Sequence, residues 1–261
     1  MTNLKSPREI AKMRVSSQIV AECLALCRRL VAPGIRTVDL DEAVAALIRE
    51  RGAESAFLGY HGFPAHICVS VNDEVVHGIP GGRRLKEGDI VSVDCGVRKD
   101  GYYGDSATTI PCGKISTEAR RLVQICETAL ALAIEVVRPG EKLSSIARVI
   151  QDYVEGEGLS VVRKFVGHGI GSQMHEEPQV PNYVSPQLLE NDVILKPGLA
   201  LAIEPMVNQG THEVRVKNNG WTVVTLDGGW SAHSEHTVVV TETGRDVLTR
   251  LPEEATAAGA A

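Results

Sequence analysis

Residues 30–52, LVAPGIRTVDLDEAVAALIRERG, and residues 136–158, VVRPGEKLSSIARVIQDYVEGEG, share one outline. At an offset of 106, Leu24 meets Leu130, Val31 meets Val137, Pro33 meets Pro139, Gly34 meets Gly140, Leu40 meets Ile146, Val44 meets Ile150 and Gly52 meets Gly158. In each copy a helix runs into Pro-Gly, where proline cannot continue it and glycine accepts a left-handed turn. A second helix with apolar residues at helical spacing then closes on another glycine. Common helix–loop–helix statistics are the competing explanation. Two copies are too few for a solenoid. The repeat therefore predicts one pseudo-symmetric α+β domain with a cleft where its halves meet.

Outward from the repeat, Ser6-Pro7-Arg8-Glu9 is a helix start: a capping serine, proline at the first helical position and a glutamate that completes a capping box. Ile10, Met13, Val20, Leu24, Leu26 and Leu30 follow at helical spacing, and a second helix is predicted over Thr37–Arg51 with Val38, Leu40, Val44 and Leu47 inward. Strands are predicted at 67–71, 90–94 and 102–110, and in the second half at 199–207, 223–226 and 236–241. The tail PEEATAAGAA, 252–261, is expected to be disordered, which leaves 1–251 as a single domain.

The 261 residues are 43% hydrophobic and 23% charged, which excludes a disordered chain, a collagen and a coiled coil. A net charge of −6 and the lack of a long Lys/Arg run give a nucleic-acid role no electrostatic support. No apolar run reaches membrane-spanning length, and the start MTNLKSPREI has no apolar signal-peptide core. Six cysteines form no CxxC pair, so reduced thiols and a cytoplasmic location are expected rather than a disulfide framework.

Carboxylates inside apolar strand text carry the chemistry: Asp94 in IVSVDCGV, Glu204 in LALAIEPMV and Glu235 in SEHTVVV. One such residue is usually a hydrogen-bonded structural acid, because a bare buried carboxylate is costly. Three, together with Asp105 in YYGDSATT and the glycine-flanked His168 in VGHGIG, are the inventory of a metal site drawn from both halves. Oxygen-rich donors with one imidazole suit Mn, Fe, Co or Zn. Four carboxylates exceed the charge of one divalent ion, and two ions about 3.5–4 Å apart balance them better. Asp94 and Asp105 suit paired strands joined at Asp100-Gly101. His61, His77 and His175 are each more often structural when taken alone, but His175 follows His168 by seven residues and can reach the same cleft. The GHGIG segment lacks the lysine and glycine spacing of a phosphate loop.

With GYHGFP, NDEVVHGIP, VDCG, GHGIG, HEEP, AIEPM and SEHTVVV around these five residues, the chain from about Ser6 to Thr249 resembles the type I methionine aminopeptidases. The resemblance implies the pita-bread fold: α+β, two pseudo-symmetric halves, an antiparallel sheet covered by helices. It implies two divalent cations, with Asp94 on one, His168 and Glu204 on the other, and Asp105 and Glu235 between them. It implies that a water acidified by the ions attacks, that Glu204 moves its proton to the departing amine, that His175 stabilises the oxyanion, and that His77 touches the substrate. The methionine pocket would draw on Tyr60, Phe63, Cys68, His77 and Trp221, and Asn72 and Ser231 match positions that hold a monovalent cation. Phe57, Phe63 and Met174 depart from common family residues, a difference that bears on pocket shape and not on the chemistry. A monomer, transient contact with the ribosome and nascent N-termini as substrate belong to the same resemblance. Xaa-Pro aminopeptidases and prolidases share the ligand set but usually carry a large N-terminal domain. Type II enzymes carry a long insert where Glu204 and Glu235 are only 31 apart. A non-enzymatic relative would have lost ligands.

Overall fold

The computed structural model describes residues 3–251; the segment 252–261, read above as a disordered tail, lies outside the described residues. The first half contains helices α1 (Pro7–Leu30) and α2 (Thr37–Glu50), then strands β1 (Glu54–Ser55), β2 (Cys68–Val71), β3 (Glu74–Val76), β4 (Ile90–Lys99) and β5 (Tyr102–Pro111). The second opens with helices α3 (Thr117–Glu135) and α4 (Leu143–Gly156) and strands β6 (Ser160–Val161), β7 (Gly167–Gly169) and β8 (Glu176–Val180). Helix α5 (Pro186–Glu190) follows, then β9 (Ala200–Ile203), β10 (Met206–Asn208), β11 (Val214–Val216), β12 (Val223–Thr225), β13 (Ser231–His233), β14 (Glu235–Val240) and β15 (Arg245–Val247).

The repeat is structural as well as textual. Shifting α2 by 106 residues gives the bounds of α4, and shifting β1 gives those of β6. Gly34 and Gly140, like Gly52 and Gly158, adopt left-handed backbone at the predicted helix stops. Even the isolated bridges correspond, Arg36 to Arg84 in one half and Lys142 to Ile194 in the other.

A nine-stranded antiparallel sheet passes through both halves in the order β1-β4-β5-β14-β9-β7-β8, with β2 on β4 and β15 on β14. Alternation along β4 divides its faces. Val91, Val93, Cys95 and Val97 pack with Ile19, Val20 and Leu24 of α1 and with Leu40 and Val44 of α2, leaving Asp94 on the opposite face. The second half mirrors this, with Leu122, Ile146 and Ile150 of α3 and α4 against Leu201, Ile203 and Val238.

The capping box at Ser6 and Glu9 forms as predicted. The buried stripe of α1 differs from the expected one: Met13, Val20 and Leu24 are buried, while Ser16, Ser17, Cys23 and Cys27 join them and Ile10, Leu26 and Leu30 stay half-buried. Small residues are required because α1 crosses β5 at Gly104, where a Cβ would stand 2.6 Å from the Ser17 nitrogen. The hairpin between β4 and β5 turns through Asp100 (φ 50) and Gly101 (φ 81), the mirror-image geometry that an Asp-Gly pair favours. The strand predicted at 199–207 is split. Pro205, which has no N–H for a ladder, separates β9 in the large sheet from β10 in a small one of order β13-β10-β6. All six cysteines are buried free thiols. No helix among the described residues is long and apolar enough to cross a membrane.

Candidate metal centre

The sheet builds the centre from the register upward. Asp94 lies opposite Ala107 and Asp105 opposite Gly96, so the period of two sends both aspartates to the face away from the helices. Glu235 also lies opposite Ala107, from the other side of β5. His168 on β7 pairs with Ala202 of β9, and Glu204 follows directly as β9 ends. The two halves contribute in parallel: Asp94 follows the start of β4 as Glu204 follows the start of β9, at an offset of 110.

Asp105, His168 and Glu235 each place a donor atom within 4.8 Å of the others. His168 Nε2 is 3.7 Å from Asp105 Oδ2 and 3.8 Å from Glu204 Oε1. Its Nδ1 donates to the Gly169 carbonyl at 2.9 Å, which leaves the Nε2 lone pair facing the carboxylates, as a ligand requires. Burial first, then its neighbours, pushes the Asp94, Glu204 and Glu235 carboxyls well above their ordinary range, and burial does the same for Asp105. Asp94 Oδ1, Asp105 Oδ1 and Glu235 Oε1 are buried with no hydrogen-bond partner. Like charges held together in an apolar surround, with orphaned oxygens, lack only positive charge. The residues present fit divalent cations.

A cavity of about 420 Å³ opens beside these groups. Its lining includes all five, together with Tyr60, Phe63, Cys68, His77, His175 and Trp221, so the candidates for divalent cations, catalysis and substrate contact face one space, while Asn72 and Ser231 lie outside its lining. Phe57, His61 and Met174 complete the wall. Phe63 and Trp221 meet edge to face at 5.2 Å. A slightly larger cavity of about 480 Å³ lies behind the sheet between α1 and α3, but among the described residues Glu127 is its one carboxylate.

His175 lies over His168, ring centroids 4.1 Å apart, and its Nδ1 meets the Tyr60 hydroxyl at 2.7 Å. Burial, then the neighbouring imidazoles, lowers His175 to about 4. His77 falls to about 4 through burial and then His175, so both rings are neutral at pH 7. His77 holds a left-handed backbone (φ 58) and stands edge-on to Phe165 at 5.6 Å. Asn72 and Ser231 are joined by the Ser231 N–H donating to the Asn72 carbonyl at 2.8 Å. The Asn72 amide is committed to Asp89 and to the Ile90 N–H.

Sequence reasoning passed over His233, whose Nε2 is 3.7 Å from Glu204 Oε2. Its signal in the sequence was its place two residues before Glu235, across the junction where β13 ends and β14 begins.

A fold of two matched halves, with a carboxylate-rich cage at their seam, defines a metal-dependent hydrolase. The chain belongs to metallopeptidase family M24, whose sequence profile matches residues 11–242, and within it to the type I methionine aminopeptidases. It is 49% identical over 247 residues to methionine aminopeptidase 1 of Bacillus subtilis (strain 168), covering 95% of this chain and 98% of that one. It is 46% identical to methionine aminopeptidase of Escherichia coli (strain K12), over 95% and 93% of the two chains. The crystal structure of methionine aminopeptidase from Thermotoga maritima superposes with a TM-score of 0.93 at 42% identity, covering 96% of this chain and all of that one. A prolidase from Pyrococcus furiosus shares the fold alone, with a TM-score of 0.76 at 22% identity, and this chain spans 65% of it. The architecture is the pita-bread fold.

Proposed function

We propose that residues 1–251 act as one catalytic unit that removes the initiator methionine from new polypeptides with a small second residue. The observation that carries this reading is the shared cavity: carboxylates and an imidazole that fit cations, beside an apolar wall of Phe57, Phe63, Met174 and Trp221. Asp94, Asp105, His168, Glu204 and Glu235 would hold the cations, and four carboxylates favour two ions over one. Bound divalent cations supply a Lewis acid for the scissile carbonyl and lower the pKa of the attacking water.

The chain's own residues do the rest. Phe63, Trp221, Tyr60 and Cys68 hold the methionine side chain, and Met174 adds a polarisable thioether surface. Glu204 takes the proton of the water and delivers it to the departing amine. The Tyr60 hydroxyl lies 2.7 Å from His175 Nδ1; with Tyr60 as the donor, the His175 proton sits on Nε2, toward the developing oxyanion. His77, neutral and fixed by its left-handed backbone, orients the peptide. Asn72 and Ser231 are the candidate holders of a monovalent cation. Cobalt, manganese, iron and zinc are all compatible with the donor set. A cytoplasmic monomer that touches the ribosome transiently completes the proposal.

The test is methionine release from a Met-X-Ser peptide series under defined Mn, Fe, Co and Zn. Small X is expected to be cleaved and bulky X refused. Faster cleavage of Ala-Pro than Met-Ala would overturn this in favour of a prolidase-like role.

A further inference from the structure

Glu204 stands between two imidazoles. His168 Nε2 is 3.8 Å from its Oε1 and belongs to the cage. His233 Nε2 is 3.7 Å from its Oε2 and has no role yet. His233 is only 1% exposed, it is not among the residues that line the cavity, and its Nε2 is buried without a hydrogen-bond partner.

The surrounding backbone is tightly held. The His233 N–H donates to Thr109 Oγ1 at 2.9 Å, and that hydroxyl donates back to the His233 carbonyl at 2.9 Å. Ser92 Oγ steadies Thr109 Oγ1 at 2.8 Å. The Cys126 thiol reaches the carbonyls of Pro205 and Ala232 at 3.3 and 3.4 Å, the residues next to Glu204 and His233. Both side chains therefore start from fixed points. With cations in the cage Glu204 is an ionised carboxylate, which only accepts, so the pair attracts when Nε2 carries the imidazole proton. Side-chain movement of about 0.7 Å brings the two atoms into hydrogen-bond range.

We propose that His233 is a positioning residue for Glu204: its Nε2–H holds Oε2 and keeps Oε1 turned toward His168 and the cage. The proposal rests on reading Glu204 as a cation ligand and proton carrier. It assigns His233 a task that contact with substrate does not require. Outer partners that orient ligands typically change cation affinity by 10–100-fold.

The experiment compares the wild-type chain with H233L and H233Q. Calorimetric titration of zinc into the metal-stripped proteins is expected to show affinity about 10–100-fold weaker in H233L. H233Q, which keeps a donor, is expected within about threefold of wild type on the same scale. With Met-Ala-Ser as substrate, H233L is expected to lose kcat while KM stays within about twofold, because the methionine pocket is untouched. Nitrogen-15 spectra of the zinc-loaded wild type are expected to show the His233 proton on Nε2. Wild-type zinc affinity and kcat in H233L, equal losses in H233L and H233Q, or a proton on Nδ1 would each overturn the proposal. Should H233L not fold, H233N takes its place, since its amide falls short of Glu204. A wild type that binds zinc but releases no methionine would sink the peptidase reading and leave the zinc titration to judge His233.

Discussion

β9 stops at Ile203, just before Glu204 and Pro205, which has no N–H to extend the ladder, and the Glu204 carboxyl enters the cage at that break. Burial first, then Asp105 and Asp94, raises the carboxyl well above its ordinary range in the cation-free cage. Glu204→Gln is expected to lower kcat by about 10²–10⁴, with KM for Met-Ala-Ser moving far less and the circular dichroism spectrum unchanged. Full turnover in this variant would remove Glu204 from proton transfer. The carboxylates were legible in the sequence because acids stand out in apolar strand text. His233 was harder to read, because it ends β13 instead of lying on Glu235's strand β14, and its approach to Glu204 exists only in the folded chain.

At the scale of elements, the loop between β7 and β8 carries His175 and is anchored by Lys5, which precedes α1. Lys5 Nζ donates to Glu176 Oε2 at 2.6 Å, with side-chain exposures of 1% and 9%. Burial alone would raise the Glu176 carboxyl, but Lys5 and the Gln173 N–H outweigh it and hold it below its ordinary value. Lys5→Met leaves a nearly buried charge unpaired and is expected to cost roughly 3 kcal/mol in urea unfolding at pH 7. Because the folded carboxyl is depressed, its stabilisation is present above the unfolded value near pH 4.3 and fades as pH falls through the lower folded value. The gap between wild type and Lys5→Met should therefore narrow at pH 3. An equal gap at both pH values would show that packing, not the charge pair, holds the loop. Helices and the β4–β5 hairpin were readable because periodicity and Asp-Gly turn chemistry are local. The small sheet of β6, β10 and β13 was not, since strands of two or three residues have no period to detect.

At the scale of the whole molecule, the halves meet over like charges. Removing divalent cations with a chelator is expected to abolish methionine release and to lower Tm, and zinc or manganese should restore both. At a free cation concentration a hundredfold above Kd, the folded state gains about 2.7 kcal/mol, a difference scanning calorimetry resolves. An unchanged Tm would mean that cations bind outside the seam. The pseudo-symmetry was legible because both copies keep the same helix stops at Gly34, Gly52, Gly140 and Gly158. The crossing of α1 over β5 was not, because a close approach such as Gly104 to Ser17 joins residues far apart in the chain.

The matched placement of Asp94 and Glu204, one from each half, also sets a schedule. During synthesis Asp94 and Asp105 are made long before His168, Glu204 and Glu235, and the early pair alone offers no complete basket. With these five residues as the proposed cation holders, metal capture would wait for the last strands to close, and a truncated product would be inert.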